Sequence, residues 1–154
     1  MFELQVVGTV EALGDVTAFV TKVARAARLS GHDAYRLRLA SEELFVNIVK
    51  HGYGGDDPQR RVALEGAGDD EGAWIRFVDS AAPFDPFEVR PTVGLDLPLQ
   101  DREPGALGLY LVRQAVDGNT YEYIDGTNRS TVEVSKSLRQ NGCDADVRFD
   151  ADHR

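Results

Sequence analysis

From Asp33 to about Gly52 the chain reads as one long helix with apolar residues on two sides. Leu37, Ala40, Leu44 and Ile48 recur at three- and four-residue steps along one face, and Tyr35, Leu39 and Val46 lie nearly opposite. A helix with two apolar stripes is expected to be sandwiched between neighbours, so the second stripe is expected to meet another helix, with a partner-binding face as the less common alternative. Beside the Leu37 stripe, Glu43, Asn47 and His51 follow one another at four-residue steps and share a face. The helix is expected to end in the Gly52-Tyr53-Gly54-Gly55 turn.

The elements around it follow from shorter patterns. Phe2, Leu4 and Val6 alternate with Glu3 and Gln5, which predicts an opening strand. Val16, Phe19, Val20, Val23, Ala24 and Ala27 are spaced as one face of a helix that Ser30-Gly31 is expected to close. Arg61–Gly66 and Ala73–Asp79 read as strands flanking the turn Ala67–Gly72, which predicts a hairpin. Residues 82–104 hold most of the prolines and little periodicity, as expected of a functional loop. Gly105–Val116 reads as a helix with Leu111, Val112, Ala115 and Val116 inward. A last hairpin pairs Tyr121–Ile124 with Thr131–Leu138 about Asp125-Gly126, with Val132, Val134 and Leu138 on one face. Trp74 in its strand reads as packed core, and Phe84 as a wedge of the loop against the sheet. Residues 139–154 read as a polar tail holding Cys143. The order β-α-α-β-β-loop-α-β-β segregates helices from antiparallel hairpins, which predicts a two-layer α+β sandwich.

Composition bounds the function. A chain of 154 residues with 42% apolar and 28% charged residues suits one domain with its own core. No apolar run approaches the roughly 20 residues needed to span a bilayer. MFELQVVGTV has neither a basic leader nor a small-residue cleavage site, so a cytoplasmic protein is expected. One cysteine excludes an internal disulfide or a Cys-rich metal site. A net charge of −9 disfavours direct binding to nucleic acid or anionic membrane.

Three constellations could carry chemistry. Glu43 and Asn47, one helical turn apart, suit a hydrated Mg²⁺: the amide oxygen takes a metal position while the carboxylate orients a hydroxyl or water. Taken alone, a solvated polar face is the commoner origin of such a pair. Asp79 closes a strand before Ser80-Ala81-Ala82-Pro83-Phe84-Asp85-Pro86, where a carboxylate can accept from an exocyclic amine such as adenine N6. An Asp-Ser turn with a proline exit would look the same. Glu103-Pro104-Gly105-Ala106-Leu107-Gly108 opens a helix with small residues that can turn free N–H groups to phosphate, although loop-to-helix junctions often look so.

In combination, and in this order on helix, strand end and loop-to-helix, these segments resemble the GHKL (Bergerat-fold) ATPases. Within them they resemble the branch of bacterial anti-sigma-factor serine/threonine-protein kinases. Ser41–Tyr53 is similar to that family's N-box, Asp79–Pro86 to its first glycine box, and Glu103–Val112 to its second. The likeness continues through Tyr121-Glu-Tyr and Asp125-Gly-Thr-Asn and covers the chain to about residue 138. It implies one ATP-binding domain over residues 1–138, with a lid at approximately 87–104. It also implies that Asn47 coordinates Mg²⁺ on ATP, that Glu43 is the base or orienting group, and that Asp79 holds the adenine amine. Ala81 stands at the first box's glycine position, and Gly105, Leu107 and Gly108 meet the phosphates. Arg102 and His51 are further phosphate contacts; for His51, simple stabilisation at a helix C-terminus explains the residue equally well. The implied partners are a STAS-type anti-anti-sigma protein as phosphoryl acceptor and an alternative sigma factor, and the implied assembly is a homodimer.

Ala81 and Ala106 replace glycines of the family pattern. At a left-handed position each would cost about 1–2 kcal/mol. That departure leaves a second expectation, a binding module of the same fold with little or no kinase activity. The ATP-binding half of a sensor histidine kinase is disfavoured, because no helical hairpin carries an acceptor histidine among His32, His51 and His153.

Overall fold

Residues that alternate between buried and exposed build a five-stranded sheet in the computed structural model, which describes residues 1–88 and 106–137. Its strands are β1 (Phe2–Gly8), β2 (Asp57–Gly68), β3 (Gly72–Asp79), β4 (Gly118–Ile124) and β5 (Thr127–Ser135), in the order β1-β2-β3-β5-β4. Every described pairing is antiparallel. Helices α1 (Leu13–Ala26), α2 (Gly31–Asn47) and α3 (Ala106–Ala115) complete the α+β fold. Val62 and Leu64 of β2, Ile75 and Phe77 of β3, and Val132 and Val134 of β5 are buried in one core with Val16, Val20 and Val23 of α1 and Leu37, Leu44 and Phe45 of α2. Each such side chain contributes about 1.5–3 kcal/mol by leaving water. Among the described residues, the helices therefore cover one face of the sheet and leave the other bare.

That asymmetry corrects the reading of Trp74. It alternates with buried Ala73 and Ile75, so it projects from the bare face, where the Arg76 guanidinium lies 5.3 Å from its ring. Strand periodicity tells which residues share a face, not which face the helices cover. The same limit applies to α3, where Leu109, Val112 and Ala115 are buried while Leu111 is 40% exposed. It applies to α2 as well: Tyr35 is 51% exposed rather than packed on a helix.

The α1–α2 junction differs from expectation too. Ser30 does not close α1; its hydroxyl caps α2 by accepting from the Asp33 N–H at 3.1 Å. Helix α1 ends earlier, where Arg28 takes φ 56 and turns the chain. At its other end α2 runs into a π-helical turn, Ile48–Gly52, in which the Tyr53 N–H reaches the Ile48 carbonyl at 2.8 Å. Gly54 and Gly55, at φ 75 and 124, then reverse the chain into β2.

Asp33 fastens the start of α2 to the end of β5. Its carboxylate is buried and accepts from the Ser137 N–H (2.9 Å), the Ser137 hydroxyl (2.7 Å) and Arg36 (2.9 Å), and Arg36 continues to Asp117 at 3.1 Å. Burial pushes the carboxyl up, but the hydrogen bonds from Ser137 and Arg36 outweigh it and hold the group well below the ordinary carboxylate value. A depressed carboxylate stabilises the fold above its unfolded pKa and loses that contribution as pH falls towards the folded value. Asp33→Ala is expected to cost about 3 kcal/mol near neutrality. In urea unfolding the gap to wild type should close as pH drops below about 4; a gap that persists in acid would contradict the network.

Candidate functional site

Inward-facing positions carry hydrophobic residues along most of β3 and β5, then switch to polar at one end. In β3 the buried series Ala73, Ile75, Phe77 finishes on Asp79; in β5 the series Val134, Val132 runs back to Ser130 and Asn128. Antiparallel register sets Asp79 directly opposite Asn128. The Asn128 amide donates to Asp79 Oδ1 at 2.9 Å, and the Ala81 N–H donates to the same oxygen at 3.0 Å. Oδ2 has no hydrogen bond among the described residues. Burial raises the Asp79 pKa, opposed by Asn128, the Ala81 N–H and the charge of Arg60.

Asn128 organises the loop after β3 as well. Its amide nitrogen lies 3.1 Å from the carbonyls of both Ala81 and Ala82, and its oxygen accepts from the Tyr121 hydroxyl (2.5 Å) and the Phe84 N–H (3.1 Å). On the other side the Tyr53 hydroxyl accepts from the Ser80 N–H at 3.1 Å and donates to the Arg61 carbonyl at 2.5 Å. The Arg60 guanidinium stacks 4.0 Å from the Tyr53 ring and donates to the Ser80 carbonyl. The loop is thus pinned from both flanks. Phe84 is not a wedge against the sheet: its ring is 48% exposed and borders the hollow beneath the loop.

That hollow is lined by Asp79, Asn128 and Ser130 from the strands, by Ala81 and Phe84 from the loop, and by Asn47 from α2. Size does not mark it, since its volume is about 30 Å³ against about 390 Å³ for a groove between α1 and α2. What marks it is convergence: apolar walls, two buried polar strand residues and a carboxylate oxygen left over. Glu43 sits one turn before Asn47, half-buried, against the first turn of α3. A methyl group on Gly108 would collide with Glu43 Oε2, so glycine here lets the Glu43 carboxylate lie against the start of α3 without being displaced.

Five of the sequence-predicted residues therefore cluster: Glu43 with Gly108, and Asn47 with Asp79 and Ala81. His51 lies exposed in the π-helical turn, and Leu107 is 38% exposed at the start of α3. Arg102, Gly105, the greater part of the expected lid, and Cys143 lie outside the described residues; Phe87, at the lid's expected start, is buried in the core. Neither substituted glycine position is left-handed: Arg28 and Asp125 are the non-glycine residues with positive φ among those described, and Ala106 begins α3 in helical backbone. The strain that alanine would bring at a left-handed position therefore does not arise at either residue. Ala81 instead has a partner in Gly52, where an added Cβ would come within 3.1 Å of the Ala81 methyl.

The sequence profile of the histidine kinase-like ATPase domain matches residues 6–136, from β1 to just past β5. The chain belongs to that family. Among solved structures it is similar to the RsbU and RsbW domains of Rv1364c from Mycobacterium tuberculosis, at 18% identity and a TM-score of 0.55. That match covers 89% of this chain and 34% of the other, so the chain spans about a third of the length of the structure it resembles. No curated protein matches it by sequence.

A histidine kinase-like ATPase domain needs somewhere to hold a nucleotide, and the Asp79 hollow, though small, sets apolar walls beside a carboxylate oxygen without a hydrogen bond among the described residues. No cluster of three His, Cys, Asp or Glu side chains occurs among the described residues. No described helix of this ATPase domain is long and apolar enough to cross a membrane. Sequence reading missed Asn128, Tyr53 and Arg60 as site-builders; the polar start of the inward series in β5 was the signal for Asn128.

Proposed function

We propose that this domain binds Mg-ATP with its adenine at Asp79 and its phosphates between Asn47 and the start of α3, and transfers the γ-phosphoryl group to a protein serine or threonine. The observation that carries this reading is the meeting of Glu43 with Gly108 one turn from Asn47, beside a buried carboxylate with one oxygen free. Mg²⁺ held by the Asn47 amide oxygen would neutralise phosphate charge. Glu43 takes the acceptor hydroxyl's proton as its oxygen bonds to phosphorus and the bond to ADP breaks. Phosphoryl transfer relies mainly on alignment and charge neutralisation, so this small set of groups suffices. The acceptor is a STAS-type anti-anti-sigma protein, with an alternative sigma factor as the sequestered partner, in a cytoplasmic partner-switching system that works as a homodimer. The helical backbone at Ala106 and the absence of left-handed strain at Ala81 favour this over a nucleotide-free binding module.

Isothermal titration with Mg-ATP tests the nucleotide claim, and absence of heat at millimolar nucleotide would end it. Asn47→Ala is expected to weaken both binding and transfer, and to flatten the dependence of binding on Mg²⁺. Gly108→Ala probes the approach of α3 to Glu43. The clash falls on the far end of a flexible side chain, so the fold should survive while the carboxylate is displaced by about 1 Å or more, a misplacement worth about 100-fold in transfer rate. A variant with wild-type melting and wild-type transfer would show that this contact is not part of the machinery.

A further inference from the structure

The ATPase reading leaves unused a groove between α1 and α2. Its volume is about 390 Å³, with Val20, Leu29 and the exposed Tyr35 among its walls. Each helix adds a cation to it, Arg25 from α1 and Arg38 from α2. Arg38 lies 5.4 Å from the Tyr35 ring and 3.7 Å from Glu42, and nearly half of its side chain remains exposed. Two arginines therefore border an apolar floor on a chain of net charge −9. They suit an occupant with apolar side chains set among carboxylates.

The same chain contains one. Asp144-Ala-Asp-Val-Arg-Phe-Asp-Ala-Asp152 places Val147 and Phe149 between two pairs of aspartates. Its point of departure is fixed. Ser137, the last described residue, is bonded through its N–H and hydroxyl to Asp33, two positions from Gly31 on the groove wall. Asp144 lies seven positions beyond Ser137, an extended reach of up to about 23 Å. Crossing the end of α2 takes about 10–12 Å, the width of a helix with its side chains. The bare face of the sheet offers a poorer home, because Glu65 and Glu133 stand beside Arg76 and Trp74 there.

We propose that residues 144–152, which hold four aspartates and one arginine, dock back onto this groove, with Val147 and Phe149 on its floor and the aspartates against Arg25 and Arg38. A partner that uses the α1–α2 face must then displace the chain's own acidic segment. This holds whether or not the domain transfers phosphate.

Cys143 is the single cysteine and lies just before the acidic run, so a spin label there reports the segment's position in the full-length chain. Labelling is expected to broaden the backbone amides of Leu29, Gly31, Ala34 and Tyr35. The broadening should be lost in 1 M salt, where screening falls to about 3 Å, and in the Arg25→Glu/Arg38→Glu double variant. It should return when that variant also carries Asp144→Lys, Asp146→Lys, Asp150→Lys and Asp152→Lys. Groove amides of unchanged intensity in the wild type, or broadening that survives the charge reversal, would overturn the proposal. So would broadening seen only when label and isotope are on different molecules, which would make the occupant a second copy. The amide spectrum itself shows whether each variant is folded.

Discussion

Glu43→Ala is expected to lower phosphoryl transfer to the partner protein by about 10²–10⁴-fold, the usual worth of a positioned base, while Mg-ATP titrates as in wild type. The expectation rests on position. Glu43 stands one turn from Asn47 and against Gly108, but it does not line the hollow under Asp79 where the base would sit. Alanine removes both the carboxylate and its contact with α3, so Glu43→Gln is the sharper variant. It fills the same space beside Gly108 yet cannot accept a proton at neutral pH. If the glutamine variant transfers as fast as wild type, Glu43 is packing rather than base; if both variants lose transfer and keep nucleotide, the assignment stands. A radiolabelled transfer assay run beside calorimetry separates these outcomes.

How much of this was legible beforehand depended on the kind of pattern involved. Glu43 and Asn47 could be paired from sequence because a helix places residues four apart on one face whatever surrounds it. Asp79 could be singled out because it ends a clear alternation. Asn128 escapes the pattern because the alternation that predicts β5 begins at Thr131, and a strand's first residues carry little periodic signal. Begun at Thr127, the same alternation runs Asn128, Ser130, Val132, Val134 and exposes two polar residues on the inward face. Trp74, Tyr35 and Leu111 were misjudged for one reason: periodicity groups residues into faces, and only the assembled layers decide which faces are covered. The Glu43–Gly108 approach joins residues 65 positions apart on different helices, so no local pattern could announce it. Ser30 was legible after all, since Ser-x-x-Asp at residues 30–33 is a helix-start signal placed where a helix end was expected.

Asp79→Asn should separate binding from stability in opposite directions. In the wild type Asp79 Oδ1 is taken by Asn128 and the Ala81 N–H, and Oδ2, without a hydrogen bond among the described residues, is the oxygen proposed to meet the base. Asparagine can keep Oδ1 in place, but it then turns an NH₂ donor towards the exocyclic amine of adenine, also a donor. Losing a hydrogen bond to a charged acceptor costs about 1.5–3 kcal/mol, so ATP affinity should fall at least about 10-fold, and further because two donors now oppose each other. Stability should move the other way. Burial raises the Asp79 pKa in the folded state above the unfolded value. The folded protein therefore holds this proton more tightly, and the associated stability is present at low pH and lost as pH rises through the folded pKa. At neutral pH the wild type carries a buried, disfavoured carboxylate that the asparagine variant lacks. The variant is expected to unfold at higher urea than wild type at pH 7, with the difference shrinking on acidification. Wild-type ATP affinity should fall over the same acid range, because a protonated Asp79 is a weaker acceptor for the adenine amine. A variant that loses nucleotide and stability together at pH 7 would mean that the carboxylate is part of the scaffold. One that gains stability while losing nucleotide would mark Asp79 as a group kept for binding at the expense of the fold.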